Sequence, residues 1–329
     1  MVAIGYVVVT AVGLLASIYI AVLLLSHSPR DATRSELVYF TNDGNKKTYD
    51  LPPAVNSETT EYKDEGITIS VVVPCYNETE RLGKMLIEAV EHLKAKFPNS
   101  YEILIVDDGS KDGSDKFALE MANELNLKPH TLRVVKLSRN RGKGGAVTHG
   151  ILHARGKYRL FADADGATKF SDMDKLLAFL MSVGSDKAGV AIGSRAHMVD
   201  TDAVVKRSFV RNFLMYCLHA LVFVFGIRDI QDTQCGFKMF NFESVKSIFP
   251  HMHTERWIFD VEVLMLGELQ GIKMKEMPVS WQEVSGSKID IARDSIGMAI
   301  DLVVTRLAYL LGIYKLDECG RKNRHKKTQ

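Results

Sequence analysis

Ile67-Thr68-Ile69-Ser70-Val71-Val72-Val73-Pro74-Cys75-Tyr76-Asn77-Glu78 is a β-branched run that stops abruptly in polar, turn-forming residues. Tyr101–Val106 repeats the form and ends in Asp107-Asp108-Gly109-Ser110. Further short runs occur at Leu132–Leu137, Tyr158–Ala162 and Gly189–Gly193, separated by helix-like stretches at 79–96, 114–126, 143–154 and 172–183. Strands that alternate with helices predict an α/β domain with a mostly parallel sheet and right-handed crossovers. Ligands of such sheets bind at the carboxyl ends of the strands. The residues that follow each run are therefore the ones to read for function.

Three of these ends are polar or acidic: Pro74 to Glu78, Asp107 to Ser110, and Asp163-Ala164-Asp165. Any one alone is also what a turn or helix cap requires. Together on one sheet edge they read as a site. Asp163 and Asp165 can face a hard divalent cation whose shell is completed by diphosphate oxygens. Such a cation would neutralise charge growing on a leaving nucleoside diphosphate. Asn140-Arg141-Gly142-Lys143-Gly144-Gly145-Ala146 opens the helix after the third run. Its glycines allow close approach, Lys143 brings charge, and a helix N-terminus favours anions. The Walker spacing is absent, so this is no P-loop, and a purely structural glycine turn is the competing reading.

The bulk composition is that of an ordinary globular protein, with 46% hydrophobic and 25% charged residues. A net charge of +2 argues against a nucleic-acid partner. Cys75, Cys217, Cys235 and Cys319 are scattered without metal or C-x-x-C spacing, which predicts a reducing compartment. Val2–Leu25 carries no charge, and as a helix it would rise roughly 36 Å, enough to cross a bilayer core. No Lys or Arg precedes it, which disfavours a cleaved signal peptide. Arg30, Arg34, Lys46 and Lys47 follow it, so the positive-inside rule places the remainder in the cytosol. There the formal glycosylation acceptor at Asn77 would stay unmodified.

The predicted organisation is an anchor at 1–26, a polar linker at 27–66, a catalytic domain at 67–290, an amphipathic membrane-associated helix at 291–318 and a basic tail at 319–329. Phe209–Ile227 is almost wholly apolar, and Ile289–Tyr314 is apolar with Asp290, Arg293, Asp294, Asp301 and Arg306 interspersed. Both stretches could be buried core helices; the second pattern suits a helix lying on a bilayer better than a span. Arg207 and Arg211 are four apart and share a helix face that could hold a phosphate; a solvated basic rim beside the membrane is the alternative.

The run from Val73 to Glu78, the Asp-Asp-Gly-Ser, the Gly-Lys-Gly turn and the Asp-Ala-Asp resemble the family 2 inverting glycosyltransferases with the GT-A fold, over roughly residues 67–290. Asp163–Thr168, Gly193–Arg195, Asp232–Lys238 and Arg256–Glu262 resemble, within it, enzymes that load a sugar onto a polyprenyl phosphate at the endoplasmic reticulum. The resemblance implies UDP-glucose as donor, dolichyl phosphate as acceptor, a single anchor in the bilayer and Mg²⁺ or Mn²⁺ on Asp163 and Asp165. It implies that Pro74, Tyr76, Glu78, Asp107 and Asp108 hold the nucleoside, and that Asp163 and Asp165 also meet the diphosphate. Arg195 and Arg211 would hold the acceptor phosphate. The metal and Lys143 or Lys288 would stabilise the leaving diphosphate, and Lys288, in the Gly286-Ser287-Lys288 turn, resembles a lysine that closes a loop over the donor.

Asp260 is a candidate for orienting sugar hydroxyls, with a helix-start acid as the alternative. Mannosyl relatives carry Gln and Arg where this chain has Ala167 and Gln282, which argues against GDP-mannose. His253-Thr-Glu-Arg256-Trp257 is similar to the Gln-x-x-Arg-Trp of processive synthases without the Gln, and one span cannot form a polymer channel. The readings left beside this one are a related transferase with another donor and a non-catalytic nucleotide-sugar binder. The oligomeric state, a homo-oligomer included, is left open.

Overall fold

A computed structural model describes residues 2–45, 47–56, 60–198, 227, 230–286 and 291–316. Arg207, Arg211, Lys288, the 209–226 stretch and the basic tail lie outside the described residues. In chain order the main elements are α1 (Val2–Leu25), β1 (Val38–Tyr39), β2 (Tyr49–Asp50), β3 (Ile69–Cys75), α2 (Leu82–Lys96), β4 (Tyr101–Asp107), α3 (Ser114–Glu124), β5 (Leu132–Lys136) and α4 (Lys143–His153). There follow β6 (Tyr158–Ala162), α5 (Met173–Val183), β7 (Gly189–Ser194), β8 (Phe237–Asn241), α6 (Phe242–Ile248), α7 (Phe259–Leu269), β9 (Lys273–Pro278) and α8 (Ile291–Leu310).

Seven strands form one sheet in the order β5-β4-β3-β6-β8-β7-β9. The pairs among β3, β4, β5 and β6 are parallel, as is β7 with β9, while β8 runs antiparallel to β6 and β7. Successive side chains of a strand point to opposite faces. Val71, Val73, Ile103 and Ile105 accordingly face a core shared with α2, α3 and α5. Val72, Leu104, Val106 and Phe161 face the other core, with α4, α6 and α7. Leu82, Met85, Leu86, Ala89, Val90 and Leu93 of α2 are buried at helical spacing. Gly150 of α4 lies against Val72 and Val106 with no room for a Cβ, so the helix seats directly on the sheet.

Two strands of the seven-stranded sheet, β8 and β9, lie outside the runs singled out in the sequence. β8 carries a buried lysine, Lys238, and β9 is a half-exposed edge in which three of six residues are charged. The polar stretch expected as a linker is corrected by the packing, because much of it belongs to the domain. Phe40 exchanges both backbone hydrogen bonds with Val134, at 2.8 and 2.9 Å, extending the sheet past β5. Glu36 is 0% exposed and accepts hydrogen bonds from the Ser138 amide and hydroxyl, both at 2.8 Å. His149 Nε2 donates to the Glu36 carbonyl at 2.8 Å, and His153 Nδ1 to that of Pro52 at 2.6 Å.

Among the described residues α1 is the one helix long and apolar enough to cross a membrane. Near its end Val22 packs with Val304 and Ala308 of α8 and with Tyr314.

Candidate active site

Pro74 shows where the crevice opens. The ladder between β3 and β6 pairs Ile69–Val72 with Tyr158–Phe161 and stops there, while β3 continues beside β4 as far as Cys75 opposite Asp107. Proline lacks an N–H, so it is tolerated where one neighbour has been lost. Beyond that point, among the described residues, β6 pairs only with β8, and a gap is left at the carboxyl ends of the parallel strands.

On one side of the gap stand the turns after β3 and β4. Asn77 has φ 56° and ties them together: its N–H donates to Ser110 Oγ at 2.9 Å, and its Oδ1 accepts the Lys111 N–H at 2.8 Å. Tyr76 is 38% exposed, leaving its ring available as a stacking surface. Glu78 is buried and bonded by Arg81 Nε at 2.7 Å and Nη2 at 2.5 Å. Asp107 Oδ1 accepts the Ser110 N–H at 3.1 Å; its Oδ2 is buried with no hydrogen-bond partner among the described residues. Burial raises the Asp107 pKa. Asp108 accepts the N–H groups of Arg141 at 2.6 Å and Gly142 at 2.8 Å, yet burial outweighs these bonds and pushes its pKa up to about 7.

On the other side is the acidic turn after β6. The Asp163 N–H donates to the Gly236 carbonyl at 3.0 Å, and a Cβ on Gly236 would overlap the Asp163 carboxylate, so a larger residue there would displace it. Lys143 Nζ reaches both Asp163 oxygens, at 2.7 Å and 3.0 Å. Although burial works against its charge, Asp163 holds the Lys143 pKa above the usual value. Asp165 Oδ1 accepts the Ala167 N–H at 3.0 Å, and its Oδ2 is 3.9 Å from Arg81. Burial and the neighbouring Asp163 charge raise the Asp165 pKa. Two carboxylates that each draw a cationic side chain suit a hard divalent ion. Among the described residues no third Asp, Glu, His or Cys completes a cluster, so phosphate and water oxygens would fill the rest of the shell.

The glycine turn departs from the expected anion cradle. The N–H groups of Gly144 and Gly145 donate to the carbonyls of Arg256 at 3.3 Å and Glu255 at 2.9 Å, so they are already committed. A Cβ at Gly142 or Gly144 would collide with the same 255–259 segment. These glycines admit a neighbouring backbone, and Lys143 alone projects towards the acidic turn.

Arg195 is held by an acidic partner. Its Nε and Nη2 form a two-pronged pair with Asp232, both at 2.8 Å, and its amide donates to Asp232 as well. The Asp232 amide in turn donates to Glu276 at 2.9 Å. Asp260, in the first turn of α7, is buried with its carboxylate 2.5 Å from Lys238 Nζ, a side chain that is 1% exposed. Asp260 is therefore buried against Lys238, within range of the Lys143 charge, rather than exposed on a crevice wall. Burial raises its pKa against the opposing pull of Lys238 and Lys143.

Arg81, Asp232, Lys238 and Glu255 were not singled out in the sequence for roles of their own. Only Lys238 and Asp232, inside the Asp232–Lys238 stretch, and Glu255, inside His253–Trp257, carried any signal. Ala167 and Gln282, the two departures from the mannosyl pattern, touch each other: the Gln282 N–H donates to the Ala167 carbonyl at 2.9 Å.

A crevice at a strand-order switch, with the acidic turn after β6 on one wall and the turns after β3 and β4 on the other, is the arrangement of a glycosyltransferase of GT-A architecture. Residues 70–249 match the family model described as glycosyl transferase family 2. The chain is 51% identical over 312 residues to the dolichyl-phosphate beta-glucosyltransferase of Saccharomyces cerevisiae, covering 92% of this chain and 93% of that one. It is 47% identical to the Dictyostelium discoideum protein of the same name, over 77% and 78% of the two chains, and 43% identical to that of Drosophila melanogaster, over 78% and 80%. The chain belongs to glycosyl transferase family 2 and, within it, to the dolichyl-phosphate beta-glucosyltransferases.

Proposed function

We propose that this chain transfers glucose from UDP-glucose to dolichyl phosphate with inversion, giving dolichyl β-D-glucosyl phosphate and UDP, a lipid donor for N-glycan precursor assembly. The observation that carries the reading is the likeness to the yeast enzyme over nearly the whole length of both chains.

The nucleoside sits between Tyr76 and the Asp107–Asp108 turn, with Pro74 and Glu78 shaping the wall. The buried, unpartnered Asp107 Oδ2 is an acceptor suited to a base N–H. The diphosphate lies against Asp163 and Asp165, which would hold Mg²⁺ or Mn²⁺. Bound there, the ion supplies positive charge to the diphosphate oxygens. The acceptor phosphate is already an anion and needs no strong base. One of its oxygens forms a bond to the glucose anomeric carbon as the bond to UDP breaks, and the electron pair leaves on the β-phosphate oxygen. Attack opposite an α-linked leaving group gives the β product. Catalysis is then positioning and charge stabilisation.

Lys143 is poised for the leaving group once Asp163 turns to the donor, and Lys288 would close over it. Asp260 acts on Lys143 as a counter-charge. Arg195 meets the acceptor phosphate with the donors that remain after two of its five N–H groups have gone to Asp232, and Arg211 completes the phosphate grip. The span α1 anchors the enzyme in the endoplasmic reticulum membrane with the catalytic domain in the cytosol, as its basic flank indicates.

A transfer assay tests the reading. Purified protein in detergent is incubated with dolichyl phosphate, Mg²⁺ and either UDP-glucose or GDP-mannose. Lipid-linked glucose formed only from UDP-glucose, and lost with EDTA, is the expected result. Product from GDP-mannose would overturn the donor assignment. UDP binding without product from either donor would leave a binding protein rather than a transferase.

A further inference from the structure

We propose that Glu255 is a positioning residue of the donor site, through which the exit of the anchor helix holds the turn that carries Lys143. The inference rests on the donor site proposed above. It gives a role to the His253–Trp257 stretch, which the chemistry of transfer leaves unused.

Glu255 makes contacts in three directions. Its Oε2 lies 3.0 Å from His27 Nε2, two residues past the end of α1. Its Oε1 accepts Arg141 Nε at 2.6 Å and also pairs with Arg141 Nη2. Its carbonyl accepts the Gly145 N–H at 2.9 Å. Arg141 reaches back to the anchor exit as well, donating from Nη2 to the Arg30 carbonyl at 3.0 Å. Forward of Arg141, its own N–H and that of Gly142 are the two donors held by Asp108. One carboxylate thus joins His27, the entry of the glycine turn and, through the main chain, the first turn of α4. Lys143 lies between these fixed points.

The anchor exit also grips the same loop from a second side. Tyr314 Oη accepts the His27 N–H at 2.8 Å and donates to the His27 carbonyl at 3.0 Å. The Tyr314 ring stacks on His253 with centroids 3.6 Å apart and planes 9° from parallel. His253 is fixed in turn by the buried Glu262, which accepts its amide at 3.0 Å and the Thr254 amide at 2.7 Å. A loop held on both sides by the anchor exit cannot shift without moving Arg141. The Arg141 side chain is largely buried, so losing its counter-charge leaves a desolvated cation to find another partner. Asp108 is within reach as that partner, and its capture would spoil the turn that the donor requires.

The test is calorimetry of UDP binding in the presence of Mn²⁺, on the full chain in detergent, for wild type, Glu255→Gln, His27→Ala and the double variant. UDP affinity is expected to fall about tenfold in Glu255→Gln and about threefold in His27→Ala, with the double variant no weaker than Glu255→Gln alone, because both changes break one linkage. The KM for dolichyl phosphate should stay within about twofold of wild type in each, which a general loss of structure would not allow. Unchanged UDP affinity in Glu255→Gln, or effects that multiply in the double variant, would overturn the linkage while leaving the transferase intact. If Glu255→Gln does not fold, His27→Ala and Glu255→Asp carry the test, and wild-type UDP affinity in His27→Ala overturns it. Wild-type protein that binds no UDP overturns the donor site and this inference together.

Discussion

Lys143 Nζ lies 2.7 Å from Asp163 Oδ1, so a cationic side chain rests on the first carboxylate of the acidic turn. A divalent ion bound to Asp163 would displace it, and the freed ammonium would then be available to a bound diphosphate. Lys143→Met removes both the competitor and the leaving-group charge. Mn²⁺ should bind the nucleotide-free variant more tightly than wild type, while kcat falls about 100-fold or more, the scale of losing one electrostatic stabiliser. Metal titration and initial-rate kinetics on the same preparation check the two halves. Weaker metal binding would mean that Lys143 supports the ion rather than opposing it.

Asp165 tests the ion itself. Its carboxylate is partly exposed and bonded within its own turn to the Ala167 N–H at 3.0 Å, so its loss should barely touch the core. Asp165→Ala should abolish glucosyl transfer with a melting temperature within a few degrees of wild type, consistent with the small effect of changes away from buried features. Near-normal turnover by the folded variant would remove the metal role of this residue.

The parts of the molecule that were legible in the sequence are those where one residue type has one physical use. The β3 and β4 runs end in Asn77 and in Asp107-Asp108, and both turns stand where the strand pattern put them. What was not legible depended on partners distant in the chain. Nothing near Arg195 announces that Asp232 will take its guanidinium, and a buried Lys238 in β8 disguises a strand as a surface stretch. The segment at 27–66 read as a linker because it is polar, yet its polar groups are what fasten it: Glu36 to Ser138, and His149 and His153 to its carbonyls. The glycines of the Lys143 turn were legible as close-approach residues; that the approaching group is the 255–256 backbone was not.

Asp108 sets a pH dependence. Its pKa, raised by burial to about 7, means that folding takes up a proton between the ordinary carboxylate range and pH 7. The stability contributed by this group therefore declines as pH rises through that window. Binding should run the other way, because the ionised carboxylate is the better acceptor for the Arg141 and Gly142 N–H groups. UDP affinity is expected to increase from pH 6 to pH 8, and Asp108→Asn should bind weakly and flatten the profile. An unchanged profile in that variant would assign the titration to another group.

The Arg195–Asp232 pair is largely shielded on the carboxylate side, and removing the arginine strands Asp232. Arg195→Ala should cost about 2 kcal/mol, less than for a fully buried pair because the guanidinium is about one-third exposed. For a domain of this size that is a fall of roughly 4–8 °C in Tm. Arg195→Lys keeps a charge but not the two-pronged geometry, so it should recover part of the stability and little of the acceptor affinity. Thermal unfolding and the KM for dolichyl phosphate separate the two effects. A full recovery of both in Arg195→Lys would show that charge alone suffices.

The outer face of α8 offers the last prediction. Ile296, Ile300 and Leu310 are 60%, 49% and 69% exposed, with Val303 between them, at spacings that place them on one side of the helix. The opposite side buries Met298, Leu302 and Ala308, and the helix packs beside the end of α1 through Val304 and Ala308. An apolar stripe next to a helix long and apolar enough to cross a membrane would suit contact with a bilayer surface, where a lipid-linked acceptor phosphate would be met. Replacing two exposed isoleucines with acids loses about 3 kcal/mol or more of favourable burial in lipid. Ile296→Glu/Ile300→Glu should therefore raise the KM for dolichyl phosphate in liposomes about tenfold or more while leaving UDP affinity unchanged. The same variant assayed in detergent with a short, soluble polyprenyl phosphate should behave as wild type, because no bilayer then has to be met. Equal kinetics in liposomes would mean that this face of α8 does not touch the membrane and that α1 alone sets the height of the active site above it.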